Sequence, residues 1–110
     1  MNIKKEKIGD FSILKINGRV DTVHSSVLEG EVNQELDSGE KNLIFNCSEM
    51  DYISSSGLRV FLVTQKKITP INGKLYLSNM QPAIQEIFRI SGFSNLFRIF
   101  DTQEKALENQ

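Results

Sequence analysis

Apolar and polar residues alternate twice at the start of the chain, around Ile3 to Ile8 and from Phe11 to Ile16, with Gly9 and Asp10 between them. Alternation with a period of two turns one face of a strand toward a core. A Gly-Asp pair supplies the positive φ that a two-residue hairpin needs at its first central position. The pattern predicts an opening β-hairpin whose second strand is broken by Gly18. The period then changes. Asp21 and Thr22 stand where a helix cap belongs, and Val23, Val27, Leu28, Val32 and Leu36 fall mostly three to five residues apart as far as Ser38 and Gly39. This spacing predicts an amphipathic helix with a polar outer face.

Leu43 to Cys47 is the most continuous β-like run, short and bounded by polar residues as a central strand is. It leads to the stretch Tyr52-Ile53-Ser54-Ser55-Ser56-Gly57-Leu58-Arg59. From there Leu58, Phe61, Leu62 and Ile68 lie near one helical face, flanked by Val60, Val63 and Thr64, until Pro70 and Asn72-Gly73 stop the helix. Three serines therefore occupy a strand-to-helix turn. Lys74 to Ser78 alternates again, Pro82 suits a first helical turn, and Ile84, Ile87 and Phe88 form a buried stripe that exits at Ser91-Gly92. Phe93 to Phe100 reads as a loop and a short strand. Asp101 with Glu104 resembles a capping box for a last helix from about Thr102 to Glu108.

The order β-β-α-β-α-β-α-β-α predicts one α/β domain over residues 1–110, with right-handed crossovers, a mixed sheet and the first strand at an edge. Sites on such sheets lie beyond the carboxyl ends of strands, which is where the chain delivers the serines.

Composition narrows the function classes. With 13 basic and 14 acidic residues and no basic stripe interleaved with aromatics, nucleic acid is not an expected partner. No apolar stretch approaches the roughly 20 residues of a membrane helix, and the opening residues lack the apolar segment of a secretory signal. A cytoplasmic location without direct membrane insertion is expected. Cys47 and His24 are each the single residue of their kind. Cys47 reads as a buried small hydrophobe and His24 as helix surface, so no metal, cofactor or Cys-His catalytic pair is expected.

A serine oxygen at a helix N-terminus satisfies one of four unpaired amides for about 1 kcal/mol, and one serine suffices for that. Gly57, without a side chain, would leave first-turn amides open to an approaching group. A serine hydrolase needs a G-x-S-x-G elbow with a base and an acid, and a phosphate-binding loop needs GxxxxGK; neither is present, nor is the acidic pair of a phosphoaspartate receiver. Two readings stay open: helix capping alone, or acceptance of a phosphoryl group from a separate kinase. In the second, the dianion would be stabilised by the helix dipole while changing the surface charge by about −2.

Asp51 to Arg59, together with Gly18-Arg19-Val20-Asp21 and Gln81-Pro82-Ala83-Ile84 leading to Phe88 and Ser91-Gly92, resembles the STAS domain of bacterial anti-sigma factor antagonists. The likeness runs in order over nearly the whole chain. It implies a mixed four- to five-stranded sheet with helices mainly on one face, and a protein that is a ligand and substrate, with no catalytic residues of its own. The family's phosphorylation site, Asp-Ser-Ser-Gly or Asp-Ser-Thr-Gly, places the acceptor at Ser55 and puts Ser54 where an acidic residue stands in the family. By the same likeness Asp21 helps form the kinase-facing surface, and Asp21, Ser54, Ser55, Ser56, Gly57 and Arg59 are the expected partner-binding residues. The implied partners are an anti-sigma factor serine kinase and a PP2C-type serine phosphatase. STAS domains also serve as accessory or regulatory subunits of membrane transporters and their ATPases, a role without a phosphorylation cycle.

Overall fold

Gly9, at φ 59°, turns the chain between β1 (Asn2–Ile8) and β2 (Phe11–Val20), which pair antiparallel with Ile8 opposite Phe11. The computed structural model describes residues 1–109; Gln110, the last residue of the expected 1–110 span, lies outside them. The chain continues as α1 (Thr22–Asp37), β3 (Asn42–Ile53), α2 (Ser55–Ile68), β4 (Lys74–Ser78), α3 (Pro82–Ile90), β5 (Arg98–Phe100) and α4 (Gln103–Leu107). The sheet order is β1-β2-β3-β4-β5, with β2 to β5 parallel and β1 at an edge. This is the expected mixed α/β sheet.

Strand alternation sorts the core into two layers. Leu14 and Ile16 of β2, Leu43 and Phe45 of β3, and Leu75 and Leu77 of β4 meet Leu28 and Val32 of α1, Phe61 of α2 and Phe88 of α3 in one cluster. Phe61 is its hub, with its ring centroid 4.9 Å from that of Phe45, 5.8 Å from Phe88 and 6.4 Å from Phe97. On the opposite face Phe11, Ile13, Ile44 and Tyr76 pack with Ala106 of α4. Three helices thus cover one face, and one short helix covers part of the other.

The structure departs from the sequence reading at four places. Gly18 does not end β2; at φ 91° it sits at a register irregularity opposite β3, so it bends the strand and pairing continues to Val20. β3 runs past Cys47 to Ile53 because the polar stretch after it still pairs with β2 and buries Met50 and Ile53. In α1 the inward stripe is Ser25, Leu28 and Val32, while Val23 is 75% exposed and Val27 50%. Ser25 can be buried because its hydroxyl donates to the Asp21 carbonyl at 2.6 Å, which leaves no polar group unpaired. The cap of α4 is Thr102, whose side chain accepts from the Lys105 amide, and not Asp101.

Candidate interaction surface at two helix N-termini

β2 and β3 end side by side with Val20 opposite Ile53, and each hands directly to a helix. The Ser54 amide donates to the Val20 carbonyl at 2.9 Å, so the junctions β2-α1 and β3-α2 are laced together. α1 and α2 therefore begin at one edge of the domain, with the positive ends of both dipoles at that edge.

Asp21 caps α1. Its Oδ1 accepts from the His24 amide at 2.9 Å and lies 2.7 Å from His24 Nδ1. The backbone amide of His24, helped by the His24 ring and by the charge of Arg19, holds the Asp21 carboxyl below its usual range. His24 is thus a surface residue of the helix, as expected, but one tied to the cap.

The three serines separate into three roles. Ser54 is the N-cap of α2, its side chain accepting from the Gly57 amide at 3.1 Å. Ser55 is the first helical residue, exposed, and its hydroxyl makes no hydrogen bond among the described residues. Ser56 is half-buried. The single cap predicts an asymmetry: Ser54→Ala should cost about 1 kcal/mol of stability, whereas Ser55→Ala should stay within about 0.5 kcal/mol of the parent. Urea unfolding of both variants measures it; equal losses would contradict the assignment of the cap.

At Gly57 the structure gives glycine a packing role that the sequence did not announce. Its amide is already taken by Ser54, and it is buried. A Cβ there would lie 2.7 Å from Ile53 Cγ1, 2.9 Å from Val20 Cγ1 and 3.0 Å from the Val20 carbonyl oxygen. Glycine lets the first turn of α2 sit down on the two strand ends. Arg59, by contrast, is exposed and has neither an ion pair nor a hydrogen bond among the described residues.

Sequence reasoning missed the apolar part of this edge. Val23 and Val27 lie exposed on the first two turns of α1, and Tyr52, at the end of β3, is 37% exposed beneath the Arg19 guanidinium, which stacks 4.1 Å from its ring centroid. The signal was available: Ser25, Leu28 and Val32 already make a complete i, i+3, i+7 stripe, which leaves the two valines facing outward. Cys47 is fully buried and its thiol is pushed up to about 12 by that burial, so it adds no reactive group. No helix among the described residues is long and apolar enough to cross a membrane.

Chemically this edge offers an accessible hydroxyl at a helix N-terminus, and no side chain among the described residues is hydrogen-bonded to it as a base. The STAS domain family model matches residues 2–106. BtrV of Bordetella bronchiseptica, whose name places it among anti-sigma factor antagonists, is 34% identical over 106 residues, covering 96% of this chain and 91% of its own. A Thermotoga maritima protein of the same description superposes with a TM-score of 0.93 at 20% identity, over 97% of this chain and 92% of that one. The Bacillus cell fate determinant SpoIIAA in its phosphorylated form superposes with a TM-score of 0.75 at 18% identity, over 98% of both chains. These two structures share the fold described above, and the family match extends over almost all of the sequence. The chain belongs to the STAS domain family.

Proposed function

We propose that the protein is an anti-sigma factor antagonist whose binding of an anti-sigma factor is switched off by phosphorylation of Ser55. The observation that carries this reading is the division of labour between neighbouring serines. Ser54 completes the helix cap, so the exposed hydroxyl of Ser55 is not needed for structure.

In the unmodified state the protein binds an anti-sigma factor that is also a serine kinase, and a sigma factor is released. The kinase transfers the γ-phosphoryl group of ATP to Ser55 Oγ: the new O–P bond forms as the bond to ADP breaks, and the hydroxyl proton leaves. A PP2C-type phosphatase hydrolyses the ester with water and restores the hydroxyl. The protein supplies no catalytic group to either step. The contact surface is Asp21, Ser54, Ser55, Ser56 and Arg59 with the exposed side of α2 as far as Lys67, extended by Val23 and Val27 of α1. Lys66 faces solvent, and Lys67 donates to Asn33 Oδ1 of α1 at 2.8 Å, which keeps the two helices in one surface. The exposed valines give a partner apolar area to bury, and the charged groups give it register.

Affinity capture from native lysate, with mass spectrometry of partners and phosphosite, tests the reading. The expected result is an anti-sigma factor kinase, with phosphate on Ser55. Phosphate on Ser54 or Ser56 alone would overturn the acceptor assignment. Recovery of a transporter or its ATPase with no phosphate would instead make the domain an accessory subunit and return the serines to capping.

A further inference from the structure

We propose that Arg59 is the intrachain ligand of the phosphate on phospho-Ser55. The inference rests on Ser55 as the modified residue and goes beyond it by naming the group that receives the new charge.

Ser55 and Arg59 are four residues apart on α2 and both are exposed, so they stand one above the other on the outward face. The direction of side chains along a helix favours the contact. Cα–Cβ bonds tilt toward the N-terminus, and a long side chain covers the turn preceding its own Cα, so Arg59 reaches back over Ser55. An acid N-terminal to a base at this spacing is also the better orientation. The guanidinium is uncommitted, with no ion pair or hydrogen bond among the described residues. The other charged groups at this edge do not compete for the role: His24 of α1 is held by Asp21, the cap of that helix, Arg19 of β2 is stacked on Tyr52, and Asp51 of β3 is acidic.

A phosphate dianion on Ser55 accepts a two-pronged hydrogen bond from Arg59. Modification then changes two things at once. It adds charge at the serine and withdraws a cation from the surface offered to the partner. The phosphorylated state is thereby a defined arrangement of the first helical turn.

The test uses protein carrying phosphoserine at position 55 installed during translation, so it does not depend on any kinase. Phosphorus NMR titration reads the second ionisation of the phosphate in the parent, Arg59→Ala, Arg59→Gln and Arg59→Lys. The parent should ionise about 0.5 pH unit below Arg59→Ala and Arg59→Gln, with Arg59→Lys between, since a positive partner favours the dianion. The gap should shrink at about 1 M salt, where the screening length falls to roughly 3 Å. Superimposable curves for the parent and both neutral variants would overturn the proposal. Failure of Ser55 as the natural acceptor is read separately, from the phosphosite recovered in lysate.

Discussion

Gly57→Ala is expected to lower stability by about 2–3 kcal/mol, a drop in melting temperature of roughly 10–20 °C for a domain of this size. The sign is the informative part. Alanine is ordinarily better than glycine inside a helix by about 0.5–1 kcal/mol, so only a steric conflict can reverse it. Here the added methyl would lie 2.7 Å from Ile53 Cγ1 and 3.0 Å from the Val20 carbonyl oxygen. That oxygen cannot retreat freely, because it accepts the Ser54 amide that joins the two helix starts. Relief must come from lifting the first turn of α2, which carries Ser54, Ser55 and Ser56 away from Asp21. Gly30 of α1 provides the control: nothing lies within 4 Å of a Cβ there, so Gly30→Ala should gain stability by the helix-propensity amount. Thermal and urea unfolding of the pair settle the matter, and a Gly57→Ala variant as stable as the parent would show that the junction is not tightly packed.

The contrast between the two glycines shows what could be read from sequence and what could not. Local signals survived folding. Gly9-Asp10 makes the hairpin, Asp21 caps α1, Pro82 opens α3, and Gly92 at φ 80° follows it, because each depends on the backbone preferences of a few neighbouring residues. Features set by tertiary neighbours were not legible. The need for glycine at 57 comes from Ile53 together with Val20, which lies 37 positions earlier in the chain, and no local pattern announces that strand-end packing. The polar stretch Ser48 to Tyr52 looks like a loop by composition and is a strand because β2 supplies a partner ladder. Val23 and Val27 read as core by hydropathy and are surface, since a buried serine with an internal hydrogen bond holds the inward position. The serine cluster was located correctly as a strand-to-helix turn. Which serine caps the helix required the geometry of Ser54 and Gly57.

Phosphorylation at Ser55 should weaken the complex with the captured anti-sigma factor roughly a hundredfold or more, a loss of about 2.8 kcal/mol. The physical basis is desolvation. A hydroxyl without an intrachain partner enters an interface at little cost, whereas a phosphate must shed its hydration, and without a partner cation it costs several kcal/mol to bury. Holding that phosphate on Arg59 lowers part of this cost, but the pair still carries a net negative charge and Arg59 is withdrawn from the surface offered to the partner, so the net effect still opposes binding. Variants give a graded series. Ser55→Ala should bind within about threefold of the parent, because the hydroxyl makes no contact that folding needs. Ser55→Asp should bind more weakly than Ser55→Ala but more tightly than the phosphoprotein, since a carboxylate carries about half the charge. Ser54→Asp should keep the fold, as aspartate caps a helix about as well as serine does, and faster phosphorylation of that variant would show that the missing charge beside the acceptor slows the kinase. Calorimetric titration of the parent, the phosphoprotein, Ser55→Ala and Ser55→Asp into the purified partner provides the ranking. Equal affinities for parent and phosphoprotein would mean that Ser55 lies outside the contact, and the interface would then have to be sought away from the edge where α1 and α2 begin.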